Sequence, residues 1–486
     1  MSTHQLKKSL GLLDATTIVA GSMIGSGIFI VTAPMARDIG SAGWMMMLWF
    51  LTGLITVFAA LSYGELAGMM PNAGGQYVYI QRAYGKTISF LYGWTVFAVI
   101  QTGVIAAVAV AFAKYATVFF PSLANEAINV FNLVHINYGQ LLAIVSLIFL
   151  TFLNVGGVKN GKYIQLIFTF AKLIALFTLI ILGIWVGLKT DILGNNFQNA
   201  WEASKTVVLD SGKIQVTQLT GFALMGALGA TIINSLFSSD AWNNVTFIAS
   251  EIKNPKKNIP RSLFLGTLIV TIVYLLANLA YLALIPLKGV PNGVDVLSQG
   301  LQFVPNDRVG AAAAEMIIGP AGVTIMAILI LISTFGCNNG LILAGSRLFY
   351  AMAKDGLFFK KAKKINKHDV PSYALWIQCF WASVLCLSGK YGDLLVYSTF
   401  ASLLFYILTI VGIFILRKKE PDTERPYKAW GYPVVPILYI LITLFICVDL
   451  LIYDFSNAGM GLLIVLLGLP IYYLFQAKQK HTSTEV

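Results

Sequence analysis

The chain has 486 residues, 57% hydrophobic and only 11% charged, against about 25% charged in soluble globular domains, so a soluble enzyme or binding domain is excluded. Its formal net charge of +12 admits nucleic acid or an anionic substrate as a partner until the charges are placed along the chain. The four cysteines, Cys337, Cys379, Cys386 and Cys447, all fall in apolar stretches, which excludes a disulfide framework.

A membrane-crossing helix needs about 20 predominantly apolar residues. Twelve such segments follow one another at 16–36, 43–67, 88–120, 138–156, 163–188, 218–250, 262–286, 314–352, 371–389, 392–416, 432–453 and 457–476. They leave no room for a soluble domain, and they are too long for barrel strands of about 9 to 11 alternating residues. The expected fold is an all-α polytopic membrane protein: twelve transmembrane helices forming one domain over 1–486. The basic start and first apolar run imitate a signal peptide, but the run continues through "GIFIV" without a cleavage pattern, so segment one is expected to be retained.

Placing both termini inside puts 23 of the 33 Lys and Arg residues in the inner connections and 7 in the outer ones. Lys7 and Lys8, the 253–261 cluster and the six lysines of 354–367 are inner, whereas Arg37, Arg308 and Lys390 are outer. Shifting the count by one segment would reverse much of this asymmetry, so the positive-inside rule selects an N-in, C-in topology. The basic charge then belongs to a lipid bilayer, and no nucleic acid is called for.

Segment one contains "GSMIGSGIFI", residues 21–30, in which five of ten residues are Gly or Ser, although Gly costs roughly 1 kcal/mol relative to Ala inside a helix. Backbone leaves the helix at membrane depth only where it is buried in protein or lines a polar cavity. An interruption is expected at 23–27. Gly21 and Gly25 also have the GxxxG spacing of a helix-packing face, so packing remains a second reading of this stretch.

Segment five carries Lys172, about ten residues from either end and so roughly 15 Å from an interface, beyond the reach of a snorkelling stem. A buried functional ammonium is expected there. It could replace a bound sodium ion as the charge joining segment five to segments one and eight, or load and release a proton. In segment eight, Ser333, Thr334, Asn338 and Asn339 are its candidate neighbours, though mid-span hydroxyls also serve as helix–helix glue.

Segment six contains "NSLFSSDAWNNVTF", residues 234–247, placing Ser238, Ser239, Asp240, Asn243 and Asn244 mid-span. A mid-span Asp costs roughly 2.5 to 3.5 kcal/mol on insertion scales and marks a functional site by default. A second interruption is expected at 237–241. Segments one and six occupy the same place in two five-helix halves, as in transporters built from inverted repeats with discontinuous helices. A 5+5 inverted repeat follows, one half about 10–190 and the other about 215–417, with the last two helices, about 430–476, added.

Unwinding from Ile24 through Gly25 and Ser26 to Gly27 presents amides at the positive end of a half-helix, suited to a carboxylate. Carbonyls near Met23, Phe237 and Asp240 suit an ammonium. A substrate bearing both groups on one carbon is an α-amino acid.

Other chemistries lack their residues. His4, His135, His368 and His481 all lie in loops or tails, so an intramembrane metalloenzyme is not expected, nor any metal or cofactor. "GGVKNGKY", residues 156–163, resembles a phosphate-binding loop but ends in Tyr163 where Ser or Thr should bind magnesium. ATP-driven pumping has no support.

Five ordered motifs carry a resemblance: "GSMIGSGIF", "GVKNGKYIQLIFTFAK", "FSSDAWNNVTFIASEIKNPKKNIPRS", "GSRLFYAMAKDG" and "ERPYKAWGYPVVP". From about residue 10 to 450 the chain resembles the amino acid-polyamine-organocation superfamily, specifically its L-type amino acid transporter branch. The resemblance implies a five-plus-five inverted-repeat fold and sodium-independent exchange or uptake of amino acids by alternating access. It further implies that Ser26 and Gly27, helped by Gly25, bind the α-carboxylate, that Met23, Phe237 and Asp240 offer carbonyls to the amine, and that Phe237 is an aromatic gate. Lys172 matches the branch's fifth-span lysine and Asn243 its post-break asparagine.

The chain departs from the branch, in which the sixth-span break more often reads F-A-Y-D-G-W: here Ser239 replaces the aromatic and Ala241 the glycine. Animal members often tether a glycoprotein subunit through a Cys between spans three and four, and residues 121–137 contain none, so no disulfide-linked ancillary subunit is expected. The sequence therefore points to a carrier of neutral α-amino acids, by exchange or proton coupling. Cationic amino acids or polyamines are the alternative, because Asp240 could recognise a second ammonium. A channel would require a continuous ring of pore-lining groups, which the sequence does not display.

Overall fold

The computed structural model describes residues 8–72, 74–130, 134–209, 211–388 and 391–484. His4, Lys7 and Lys390 lie outside these residues, as do the side chains of Lys159, Lys162, Lys478 and Lys480. Long runs of Leu, Ile, Val, Ala and Phe satisfy their backbone groups within helices, the solution that an apolar solvent demands. Among the described residues, ten helices are long and apolar enough to cross a membrane, and the protein is a multi-pass membrane protein.

Those ten correspond to segments two to eight and ten to twelve. Segment one is split into Leu12–Met23 and Thr32–Ile39, and segment nine is the 17-residue helix Ser372–Ser388. Neither half of segment one reaches spanning length.

The helix ends follow local chemistry. Ser41 caps segment two, Ala42–Met69, by accepting from Trp44 N at 3.3 Å. Asn137 and Gln140 form a reciprocal capping box at the start of Tyr138–Val155. Segment seven, Pro255–Leu284, opens on a proline, whose missing N–H is no loss there.

One sequence expectation needs correction. Segment eight, expected as one helix over 314–352, is two: Val309–Ile318 and Pro320–Lys354, separated by Gly319 at φ +71°. A residue preceding proline is driven out of the helical region, and glycine accepts the left-handed turn. The fold is otherwise all-α as expected, with short strands in two of its connections. Two antiparallel hairpins, Glu126–Val130 with Val134–Asn137 and Ser204–Val208 with Ile214–Gln218, occupy the connections after segments three and five. Their strands are four or five residues long, too short to stand out beside the apolar helices. A short helix, Gln76–Tyr84, follows segment two.

Helix packing recurs in matched pairs offset by five segments. Segment one packs on seven and six on two; segment one on five and six on ten; segment five on eight and ten on three; segment three on four and eight on nine. Segments two and seven, which exchange under this offset, pack on each other.

A buried carboxylate fastens segment two to segment ten. Glu65 accepts from Arg417 Nε at 2.9 Å and Nη2 at 2.6 Å, and from Ala429 N at 2.7 Å. Arg425 Nε lies 3.3 Å from the same carboxylate, within ion-pair range though not aligned as a hydrogen bond. Removing one member of such a pair strands the other's charge. Glu65→Gln is expected to destabilise the protein by about 3 kcal/mol, read from equilibrium unfolding in mixed micelles. An unchanged midpoint would show that Glu65 does not fasten these elements.

Candidate functional site

The first helix ends at Met23. Ile24 N still donates to Ala20 O at 2.9 Å, but Ile24 leaves the helical region (φ −75°, ψ +86°) and Gly25 N turns back to Met23 O at 2.8 Å. A tight turn over Gly27–Phe29 restarts the chain, and Val31 N donates to Gly27 O at 2.9 Å as the second half-helix begins. In segment six, the helix Gly221–Ser238 ends with Asp240 N on Phe237 O at 3.2 Å. Ala241 then takes φ +64°, and one helical turn follows over Asn244–Phe247. Both helices are interrupted, the first around 24–26 and the second around 239–243, two residues later than expected.

The two interruptions touch. A methyl group placed on Gly27 would lie 2.2 Å from Ser238 Oγ and 2.9 Å from Ser238 Cα, so only glycine permits this approach. From segment seven, the hydroxyl of Tyr274 reaches Met23 O and Ser238 O, each at 3.0 Å, and its single proton serves one of them at a time. Thr32, at the start of the second half-helix, donates to Asn278 Oδ1 of segment seven at 2.8 Å. Segment seven thus holds both breaks.

Lys172 is buried and donates to Gly21 O at 2.5 Å and Ile24 O at 2.6 Å. These carbonyls close the first half-helix, so the ammonium sits at the negative end of its dipole. Segment eight reaches the same turn through Cys337, whose thiol donates to Ser22 O at 3.3 Å. Gly25 also packs on segment eight, where a Cβ placed on it would lie 3.1 Å from Cys337 Sγ.

The hydrogen bonds of Lys172 go to segment one, and the four polar residues expected in segment eight have arrangements of their own. Ser333 Oγ and Asn338 Oδ1 are buried without a hydrogen-bond partner among the described residues. Thr334 bonds back to Ile330 O at 2.8 Å, and Asn339 accepts from Asn154 at 2.9 Å.

Asp240 faces segment ten. Tyr406 donates to its Oδ1 at 2.5 Å and Ser402 to its Oδ2 at 3.4 Å. The carboxylate borders two small cavities, each of about 20 Å³. One is lined by Gln76, Tyr92, Gln101 and Asn243; the other by Thr56, Ser239, Trp242 and Tyr439. Asn243 donates to Gln76 Oε1 at 2.8 Å, Tyr92 donates to the same oxygen at 3.1 Å, and Gln76 donates to Thr409 at 3.0 Å. The second break is thereby anchored to the helix Gln76–Tyr84 and to segment ten. Phe237 is buried at the end of its half-helix.

Tyr274, Gln76, Ser402, Tyr406 and Cys337 were not legible as site residues. Tyr274 stands in "VTIVYLLAN" and Tyr406 in "LLFYILT", where an isolated hydroxyl mid-segment is the only signal and does not name its partner.

Ala241 occupies a left-handed conformation that strains a side chain by about 1 to 2 kcal/mol. Ala241→Gly is expected to relieve it and raise stability by about 1 kcal/mol in thermal unfolding of the detergent-solubilised protein. A lower melting temperature would contradict the strain.

Two interrupted helices in contact, one clamped by a buried lysine, within a multi-pass helical bundle define a membrane transport protein. Comparison with known proteins narrows the class. The chain belongs to the amino acid permease family, whose match covers residues 10–469, in keeping with the resemblance carried by the five motifs. Its relatives include the large neutral amino acids transporter small subunit 2 of Homo sapiens, 32% identical over 96% of this chain and 80% of that protein. The serine/threonine exchanger SteT of Bacillus subtilis (strain 168) is 29% identical over 96% of this chain and 97% of that protein. The b(0,+)-type amino acid transporter 1 of Mus musculus is 28% identical over 98% of this chain and 89% of that protein.

Proposed function

We propose that the protein carries neutral α-amino acids across the cell membrane without sodium, by alternating access, as an exchanger or with proton coupling. The observation that carries this reading is the contact between the two interruptions, Gly27 against Ser238 with Tyr274 bridging Met23 O and Ser238 O. Substrate carboxylate takes the amides at Ser26 and Gly27, the N-terminal end of the outer half-helix, and Gly25, whose own amide turns back to Met23 O, leaves room for its approach. Substrate ammonium takes carbonyls around Met23 and Phe237, replacing the Tyr274 proton on Met23 O. Phe237 closes over the side chain, with Ser238 and Ser239 beside it.

The architecture belongs to the same proposal: twelve crossings with both termini in the cytoplasm, and segments one to five and six to ten as inverted repeats. The matched packing pairs support the repeats, since an approximate two-fold axis would exchange each pair. In this scheme Lys172 is the charge that ties segment five to the first break, and Ser333 and Asn338 supply polar groups where that tie loosens. All four cysteines are buried, which favours an arrangement without a disulfide-linked subunit.

Relatives are named for large neutral amino acids and for serine and threonine, which supports a neutral substrate. Asp240 favours the cationic alternative only if its carboxylate is free, and both of its oxygens accept from segment ten. The test is uptake of labelled amino acids into liposomes containing the purified protein, preloaded with single amino acids. Uptake of a neutral amino acid that saturates, ignores sodium, and requires either an internal amino acid or a pH gradient supports the proposal. Preference for arginine or a polyamine would move the reading to the cationic alternative, and flux without saturation or counterflow would reject a carrier.

A further inference from the structure

Away from the transport site, the connection after segment ten and the first turns of segment seven enclose an open groove of about 660 Å³. Its floor is apolar, formed by Val57, Phe58 and Leu61 of segment two and Phe264 of segment seven. Its rim is basic: Lys256, Lys257 and Arg261 from segment seven and Lys428 from the connection. All four cations are exposed. Lys256 pairs with Glu424 at 2.7 Å, whereas no carboxylate lies within ion-pair distance of Lys257, Arg261 or Lys428 among the described residues.

We propose that this groove binds one anionic phospholipid of the inner leaflet, its phosphate among Lys257, Arg261 and Lys428 and its acyl chains along Phe58, Leu61 and Phe264. The inner-leaflet placement rests on the N-in topology proposed above. Positive-inside sorting alone supplies cations on this side, but it does not make cations from two separate elements converge over an apolar floor. Convergence of that kind is what basic pockets between transmembrane helices offer a lipid headgroup. Lysine in the first turn of a helix is opposed by the dipole, so Lys256 and Lys257 gain from an anion beside them. Trp430, exposed on the same rim, has the amphipathic ring suited to headgroup depth.

The Lys428 wall is fixed in place, because Arg425 and the Ala429 amide both reach buried Glu65. The groove is therefore a formed site with apolar and anionic requirements together. A soluble anion would satisfy only the second.

The test is native mass spectrometry of the delipidated protein in detergent, titrated with phosphatidylglycerol or phosphatidylcholine, which reads binding whatever the transported substrate or membrane orientation. Phosphatidylglycerol is expected to be retained preferentially. Each neutralised cation should weaken it roughly fivefold, so that Lys257→Gln, Arg261→Gln and Lys428→Gln together reduce affinity on the order of 100-fold. A control with equal charge loss, Lys360→Gln, Lys361→Gln and Lys363→Gln in the exposed turn after segment eight, should keep wild-type retention. Equal binding of the two lipids, an equal loss in the control, or competition by glycerol 3-phosphate as strong as by the lipid would each overturn the proposal. Monodisperse elution of both triple variants confirms that binding is read on folded protein.

Discussion

Lys172→Ala and Lys172→Met are both expected to lower amino acid exchange about 100-fold while the protein still elutes as a folded species. The ammonium makes two hydrogen bonds, to Gly21 O and Ile24 O, in a buried position. A hydrogen bond to a charged group contributes about 1.5 to 3 kcal/mol, and losing both lets the end of the first half-helix move off segment five. A factor of 100 in rate corresponds to about 2.7 kcal/mol, the loss expected from one to two such bonds. Methionine keeps the length of the stem and removes only the charge, so it separates the ammonium from its packing. The measurement is initial exchange rate in liposomes at matched protein density. Wild-type exchange in Lys172→Met would take the ammonium out of the mechanism.

Gly27→Ala is the second large effect. Its methyl group would sit 2.2 Å from Ser238 Oγ, 2.7 Å from Ser238 Cβ and 2.9 Å from Ser238 Cα, closer than unbonded carbon atoms approach. Overpacking of this kind costs about 1 to 3 kcal/mol, so the breaks must separate and the expected loss in substrate affinity is on the order of 10-fold to 100-fold. The partner change makes the argument specific. Ser238→Gly removes Oγ and Cβ but leaves Cα in place, so the double variant should regain part of the lost affinity and not all of it. Wild-type affinity in Gly27→Ala would mean that the breaks do not meet at this point.

Segment boundaries, both interruptions and the buried lysine were legible in the sequence because each breaks a simple rule: glycine and serine inside an apolar helix, Asp240 at mid-span, Lys172 far from either interface. The division of segment eight at Gly319 was hidden because apolar residues continue across it, and a Gly-Pro pair inside such a run reads equally as a kink. The hairpins were hidden by their length. Contacts to the site were the least legible part. Tyr274, Tyr406 and Gln76 act through the carbonyl, carboxylate or amide that the fold brings to them, and a sequence specifies a donor without specifying its acceptor. Asp240 shows the same limit: its charge marked a site, yet its partners Ser402 and Tyr406 lie 162 and 166 residues further along the chain.

The most direct test of the account is hydrogen–deuterium exchange of a peptide covering residues 20–31, with and without a saturating neutral amino acid. The account predicts that amides near Ser26 and Gly27 exchange faster than those of the flanking half-helices and become protected when the amino acid binds. Uniform helix-like protection across this stretch, unaltered by any amino acid, would contradict it.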